Sequence, residues 1–133
     1  MNIKKLEGNI IREIDIIEKN DELYDEIIFF LDNKEVYSLI HDQSCCERVT
    51  IEDICGDIKD LINTPILSSY EYINSGEDGE DSYTWTFYNL STIKGSVTIR
   101  WYGVSNGWYS EKVDFVEVDG EDDPTRLDYV WIY

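Results

Sequence analysis

Residues 83–88 read Tyr83-Thr84-Trp85-Thr86-Phe87-Tyr88, and this stretch decides the fold. Large aromatic side chains at every second position are typical of a β-strand with one buried face. Residues 97–102 repeat the alternation, and residues 89–95 supply turn-forming residues between the two stretches. The sequence therefore predicts two antiparallel strands here, followed by a third strand over 108–118 and a final strand over 127–133.

The first third of the chain has the pattern of a three-stranded meander. Isoleucines alternate with charged residues along 10–17. Two further apolar runs, 26–31 and 35–40, are joined by Asp32-Asn33-Lys34, which suit a tight hairpin. Beyond the middle of the chain, residues 65–73 indicate an irregular or edge strand. Residues 74–81 indicate a glycine-containing acidic loop.

Residues 51–62 change the period from two to that of a helix. Apolar residues recur there at intervals of three and four: Ile51, Ile54, Ile58, Leu61 and Ile62. Thr50 is a suitable N-cap, although Gly56 costs about 1 kcal/mol relative to alanine inside a helix. One amphipathic helix over 51–62 is therefore expected. The predicted fold class is α+β: an antiparallel, meander-rich sheet of six or more strands with this helix packed on one face.

Length and charge restrict the class of protein. The 133 residues fit one domain, 1–133, with a hydrophobic core of its own. Their 29 acids and 11 bases give a net charge of −18, which opposes contact with phosphate groups. We therefore expect neither direct nucleic-acid binding nor binding to anionic membranes. The acidity has two remaining interpretations: plain solubility, or a surface that binds a protein whose own site is basic.

The expected location is the cytoplasm. No run of about 18 apolar residues is present. Residues 1–19 alternate charge with isoleucine where a signal peptide needs an unbroken apolar core. The three cysteines favour a reduced protein, because adjacent cysteines such as Cys45 and Cys46 rarely bridge to each other. Oligomeric state is not indicated by the sequence.

Charge and aromatic residues define two candidate binding surfaces. The first is an aromatic and basic island on the predicted central strands, containing Arg100, Tyr102, Trp108 and Tyr109. Aromatic rings interleaved with cations can stack on a base, a nucleotide or a peptide, and the plain alternative is that the rings fill a core. The second surface is the acidic segment that carries Glu77, Asp78, Glu80 and Asp81.

A cluster around the only histidine is the candidate for chemistry. His41, Cys45 and Cys46 lie within six residues, and Cys55 follows on the predicted helix. A His-Cys-Cys-Cys zinc site is one reading, but the set has no Cys-x-x-Cys pair. A thiol nucleophile activated by His41 is another. The plain alternative is a strand-to-helix junction with buried cysteines. No cofactor is expected, and zinc is the minority alternative.

Several segments resemble a family of small uncharacterised proteins from bacteriophages and bacteria. The resemblance covers about residues 37–115, and the segments fall in the family's order. They are His41-Asp42-Gln43 with Cys45-Cys46-Glu47, the run Ile51-Glu52-Asp53-Ile54-Cys55-Gly56-Asp57, Thr64-Pro65-Ile66, the run from Ser82 to Tyr88, and Ile99-Arg100-Trp101-Tyr102-Gly103. The resemblance implies a phage-associated origin and brings no activity with it.

These observations favour a noncatalytic binding protein of phage-associated type. Its acidic surface would engage or inhibit a host protein. The alternatives are a small-ligand or nucleotide binder that uses the aromatic and basic strands, and a zinc- or thiol-dependent enzyme at the His-Cys cluster. An enzyme is the less favoured class, because no complete catalytic signature surrounds the histidine.

Overall fold

Strands dominate the computed structural model, which describes residues 2–18, 25–118 and 130–133. The elements are the 3₁₀ helix η1 (Ile3–Leu6), β1 (Ile11–Glu18), β2 (Asp25–Leu31), β3 (Val36–Ile40), β4 (Arg48–Cys55), the 3₁₀ helix η2 (Ile58–Leu61), β5 (Ser68–Asp78), β6 (Asp81–Thr92), β7 (Gly95–Ser105), β8 (Asp114–Glu117) and β9 (Val130–Ile132). Within these ranges, no helix is long and apolar enough to cross a membrane.

The strands form two antiparallel sheets. The first sheet has the order β8-β3-β2-β1-β9, and the second has the order β4-β7-β6-β5. Both sheets contribute to one hydrophobic core, so the fold is a two-layered β structure. Fully buried members include Ile14, Phe29 and Leu39 from the first sheet and Leu90, Ile99 and Trp101 from the second.

The predicted α+β class is wrong, because the expected helix over 51–62 is a strand followed by a single 3₁₀ turn. The pairing of β4 with β7 is irregular between Ile51 and Asp53, where an extra residue enters the strand. Such a bulge puts Ile51 and Ile54 on the core side, although they are three residues apart. The bulge thus gives a β-strand the three-residue spacing of apolar residues that is typical of a helix. Gly56, with a φ of 109°, then ends the strand in a conformation that favours glycine.

Four other expectations can be compared with the sheet order. The N-terminal meander is present as β1, β2 and β3. The expected acidic loop 74–81 is wrong, because β5 and β6 pair from Ser68 and Ser91 up to Asp78 and Asp81. The strand expected over 108–118 is wrong in length and partner: β8 covers four residues and pairs with β3 in the first sheet. In the final segment β9 pairs with β1, and residues 127–129 lie outside the described part of the chain.

Candidate functional site

The outer face of the second sheet carries the best candidate site. Side chains alternate across a strand, so Ile99 and Trp101 of β7 point into the core while Arg100 and Tyr102 point outward. The register sets Phe87 opposite Arg100, and Trp85 opposite Tyr102. One side of this sheet therefore builds the core, and the other presents aromatic rings to solvent.

Five side chains make up this aromatic face: Tyr72, Tyr83, Trp85, Phe87 and Tyr102. The ring centroids of Trp85 and Tyr102 are 4.7 Å apart, and those of Tyr83 and Tyr102 are 6.5 Å apart. Phe87 lies 6.1 Å from Trp85 and 5.9 Å from Tyr72. These separations are those of interacting rings. The aromatic face is therefore one continuous surface across β5, β6 and β7.

Arg100 lies on the same face, but its charge is already matched by Asp53. Its Nε donates to Asp53 Oδ1 at 2.6 Å, and its Nη2 donates to Asp53 Oδ2. This fork raises the pKa of Arg100 and lowers the pKa of Asp53 below its ordinary value, chiefly through the hydrogen bonds. The guanidinium carbon also lies 5.5 Å from the Trp85 ring centroid. Arg100 thus packs against the aromatic face, and its charge is paired with that of Asp53.

Two other bases near these strands in the sequence, Lys94 and Lys112, are also engaged. Lys94 Nζ donates to the carbonyl oxygen of Ile62 at 2.7 Å. Lys112 Nζ lies 3.6 Å from Asp114 Oδ1, in the first sheet. The structure therefore does not gather these bases into an anion-binding surface next to the aromatic rings.

Acids border the aromatic face instead. An open groove of about 620 Å³ is lined by Glu52, Glu77, Asp78, Tyr83, Trp85 and Tyr102. Three of its six lining residues are carboxylates, three are aromatic, and none is basic. Aromatic rings and carboxylates both attract cations. These lining residues would attract an ammonium or guanidinium group and would repel a phosphate.

The remaining predicted binding residues lie around the tip of the β5–β6 hairpin. Glu80, Asp81 and Trp108 line an adjacent depression of about 300 Å³, which Glu77 also borders. Trp108 is 86% exposed. Tyr109 borders a third shallow depression beside Tyr83. The structure thus brings the predicted acids and aromatic residues to one end of the second sheet, whereas Arg100 lies along its face.

A buried carboxylate holds the segment that carries Trp108. Glu111 accepts hydrogen bonds from the hydroxyls of Ser82, Thr84 and Ser105, with a distance of 2.8 Å from Thr84 Oγ1 to Glu111 Oε1. These donors belong to β6 and β7. Hydrogen bonds to a buried charged group are among the stronger ones in proteins. They fix the path of the chain as it leaves the second sheet.

His41 and Glu47 form a buried pair in the loop between β3 and β4. His41 Nδ1 lies 2.6 Å from the carbonyl oxygen of Lys112, and Nε2 lies 3.0 Å from Glu47 Oε2. Both partners are acceptors, so an imidazolium ring satisfies both contacts with its two N–H groups. The backbone N–H groups of Cys45 and Ser44 also donate to the Glu47 carboxylate. The loop is therefore organised around one buried acid as the chain crosses between the sheets.

The predicted metal ligands are not brought together. Cys45 and Cys46 are joined by a disulfide, so the expectation that these neighbours do not bridge is wrong. Cys55 is a free, exposed thiol at the opposite end of β4, seven residues of extended chain beyond Arg48, or roughly 20 Å. Among the described residues, no three His, Cys, Asp or Glu side chains are grouped so that they could hold a metal ion.

Sequence reasoning missed three residues of the site. Asp53 and Glu52 were assigned to a helix, and only the bulge in β4 turns them toward the second sheet's outer surface. Trp85 was recognised as a strand residue, but its alternation does not tell which face meets solvent. The burial of Tyr88, Ile99 and Trp101 in the core shared with the first sheet is what identifies the outer face.

Residues 4–115 match the family model described as "Domain of unknown function (DUF7448)". The match agrees with the expected uncharacterised family, and it reaches further toward the N terminus than the resemblance over 37–115. No curated protein matches the chain, and no solved structure matches it.

Proposed function

The chain belongs to the DUF7448 family through residues 4–115, and we propose that it is a noncatalytic binding protein that holds a basic segment of a protein partner on its aromatic face. In the phage-associated setting that the sequence resemblance implies, the partner is a host protein and the location is the cytoplasm. These two elements of the proposal rest on the sequence alone.

The observation that carries the proposal is the composition of the groove. Three rings and three carboxylates line it, and the nearby guanidinium of Arg100 is held by Asp53. A lysine or arginine side chain entering the groove would meet the π-face of Trp85 and the charge of Asp78. Each cation–π contact contributes about 0.5–2 kcal/mol. The net charge of −18 adds long-range attraction for a basic partner.

The same geometry argues against the nucleotide alternative. A nucleotide phosphate needs uncompensated cations near the stacking rings. Among the described residues, Arg100 is the base that touches this surface, and its guanidinium is engaged with a carboxylate. Phosphate would also meet the acidic residues that line the groove, among them Asp78. Basic peptides are therefore preferred over anionic ligands.

A peptide titration tests the proposal. The probe is an acetylated octapeptide in which lysine alternates with valine, and its affinity is measured by calorimetry. We expect Trp85→Ala to weaken binding by about 2- to 30-fold, the range that loss of one cation–π contact implies. Ile93→Ala is the matched control, because Ile93 is 82% exposed on the turn between β6 and β7.

The charge contribution needs its own control, since any acid on a strongly negative protein attracts lysine. Asp78→Asn removes a charge inside the groove, and Asp32→Asn removes an exposed charge in the turn after β2. The proposal expects the first change to weaken binding clearly more than the second. Equal effects of both, together with wild-type affinity in Trp85→Ala, would overturn it.

A further inference from the structure

Beyond its first residues, the edge of β5 beside the aromatic face is not covered by any of the described residues. β5 is the last strand of the second sheet and is eleven residues long, and its pairing with β6 has no bulge. Long, regular edges readily accept a strand from another chain, so proteins usually shorten, distort or cover them. Such an edge is an interaction surface unless something covers it.

The other three edges of the two sheets are blocked in these ways. Within the described part of the chain, β8 has four residues and β9 has three. β4 contains the bulge at Glu52, and the carboxylate of Asp25 accepts the N–H of Ile51 at 2.7 Å. At β5, by contrast, the outward N–H that has a partner among the described residues is that of Ser69, which donates to Glu7 Oε1 at 3.0 Å. Beyond Ser69, β5 therefore differs from the other three edges because it is long and has no bulge.

The backbone groups that face outward can be assigned. In an antiparallel pair, successive residues direct their N–H and C=O groups alternately toward and away from the partner strand. Ser69 directs its N–H away from β6, and the two-residue turn after Asp78 makes Asp78 and Asp81 a hydrogen-bonded pair. Ile73, Ser75 and Glu77 therefore point their N–H groups outward. None of the described residues accepts a hydrogen bond from these three on that side.

We propose that this edge, from Glu71 to Glu77, binds an extended basic segment of the partner as an additional β-strand. The inference rests on the proposed function, and it specifies how the partner is held: main-chain hydrogen bonds to β5 would place alternate side chains over the aromatic face. Tyr72, 61% exposed, lies between the edge and the rings of β6. The added strand would extend the aromatic face by one row of side chains.

The charge of the β5 edge indicates which kind of segment can pair with it. The edge strand carries Glu71, Glu77 and Asp78 and contains no base. A second copy of the chain would bring another charge of −18, and an antiparallel pairing centred on Asn74 would set Glu71 of one copy against Glu77 of the other. Like charges directly opposite each other destabilise a strand pair. A basic segment has the complementary charge, so we assign the edge to it.

Two matched comparisons test strand addition. The first compares the lysine–valine octapeptide with the same peptide N-methylated at every second amide, which keeps all charges and side chains but cannot pair along one edge. We expect N-methylation to weaken binding roughly tenfold or more, because each lost hydrogen bond accounts for about fivefold. The second compares Ser75→Pro, which removes an outward N–H, with Ser75→Ala, which keeps it.

Hydrogen exchange measures the addition of the peptide strand to β5 directly. In the free protein, the amides of Ile73, Ser75 and Glu77 should exchange fast, and saturating peptide should slow them. Ser75→Ala should bind like the wild type, apart from the loss of its hydroxyl contact with Thr84 Oγ1 at 3.1 Å. Ser75→Pro should bind weakly while keeping the wild-type circular dichroism spectrum.

The outcomes separate this inference from the proposed function. If Trp85→Ala weakens both peptides while N-methylation and Ser75→Pro change nothing, the aromatic face binds the peptide and strand addition is refuted. If neither peptide binds, both proposals fall. Protection of the three amides in the free protein, or protection that rises with protein concentration alone, would show that the edge is already occupied or pairs with a second copy. Either result overturns the inference.

Discussion

Replacing Glu47 by glutamine tests the buried carboxylate that organises the crossing between the sheets. Glu47 is fully buried, and its carboxylate accepts hydrogen bonds from Cys45 N–H at 2.8 Å, from His41 Nε2 at 3.0 Å and from Ser44 N–H at 3.1 Å. Burial alone would raise its pKa, but the hydrogen bonds from Cys45, His41 and Ser44 bring the pKa of Glu47 down to about 2. The folded loop therefore strongly prefers the ionised acid.

The expected loss of stability follows from that preference. The pKa falls from an ordinary value of 4.5 to about 2, and one pKa unit corresponds to about 1.4 kcal/mol, so ionised Glu47 stabilises the fold by about 3 kcal/mol at neutral pH. Glutamine keeps one acceptor oxygen but loses the charge opposite His41 and adds a donor beside two backbone N–H groups. We expect Glu47→Gln to lower the free energy of unfolding at pH 7 by about 2–4 kcal/mol.

The pH dependence gives the sharper test. Because the folded pKa lies below the unfolded one, the stabilisation is complete above pH 4.5 and is lost as the pH falls toward 2. Urea unfolding at pH 7 and pH 3 should show the difference between wild type and Glu47→Gln narrowing by about 2 kcal/mol. Glu52→Gln is the control, because Glu52 is exposed and lies at the bulge of β4. A difference that is small at pH 7, or unchanged between the two pH values, would refute the reasoning.

Two further experiments test other features of the fold. Gly56→Ala should destabilise the protein by about 2 kcal/mol or more in thermal unfolding, because Gly56 has a φ of 109° and a Cβ there would lie 2.5 Å from the carbonyl oxygen of Ser96; a variant as stable as the wild type would contradict the assigned strand end. The pair of Asp53 and Arg100 should show a coupling below about 1 kcal/mol in a double-mutant cycle with Asp53→Asn and Arg100→Gln, because both side chains are more than a third exposed. That coupling should weaken as the pH falls through the lowered pKa of Asp53, because the carboxylate then becomes protonated. A coupling above about 2 kcal/mol would contradict the expectation for an exposed pair.

The strands with clean alternation were predictable, and those with an inserted residue were not. β6 and β7 follow the period-two pattern along residues 83–88 and 97–102, so this alternation alone located them. β4 failed because its bulge produces the three-residue spacing between Ile51 and Ile54 that a helix would also produce. A bulge leaves no separate sequence signal, and it is recognised only when the partner strand is known.

The crossing between sheets was hidden for a different reason. The chain leaves β7 at Ser105 and joins the first sheet at Asp114, and a sequence pattern reports the period of a strand but not its partner. The position of the candidate site residues depends on which strands pair with each other. The candidate residues from Glu77 to Asp81 were correctly grouped as acidic, but pairing with β6 places Glu77 and Asp78 at the end of an edge strand and Asp81 at the start of β6, with Glu80 in the turn between them.

The partner of Arg100 decides what the aromatic face can bind. In the sequence, Arg100 beside Trp101 and Tyr102 suggests a surface for an anion or a base. In the fold, Trp101 is buried, and Asp53 takes the guanidinium from the neighbouring strand. The rings that remain outside are then bordered by Glu52, Glu77 and Asp78 without an opposing free cation among the described residues of the groove. Local geometry and the net charge of −18 therefore act in the same direction, and both favour a cationic partner.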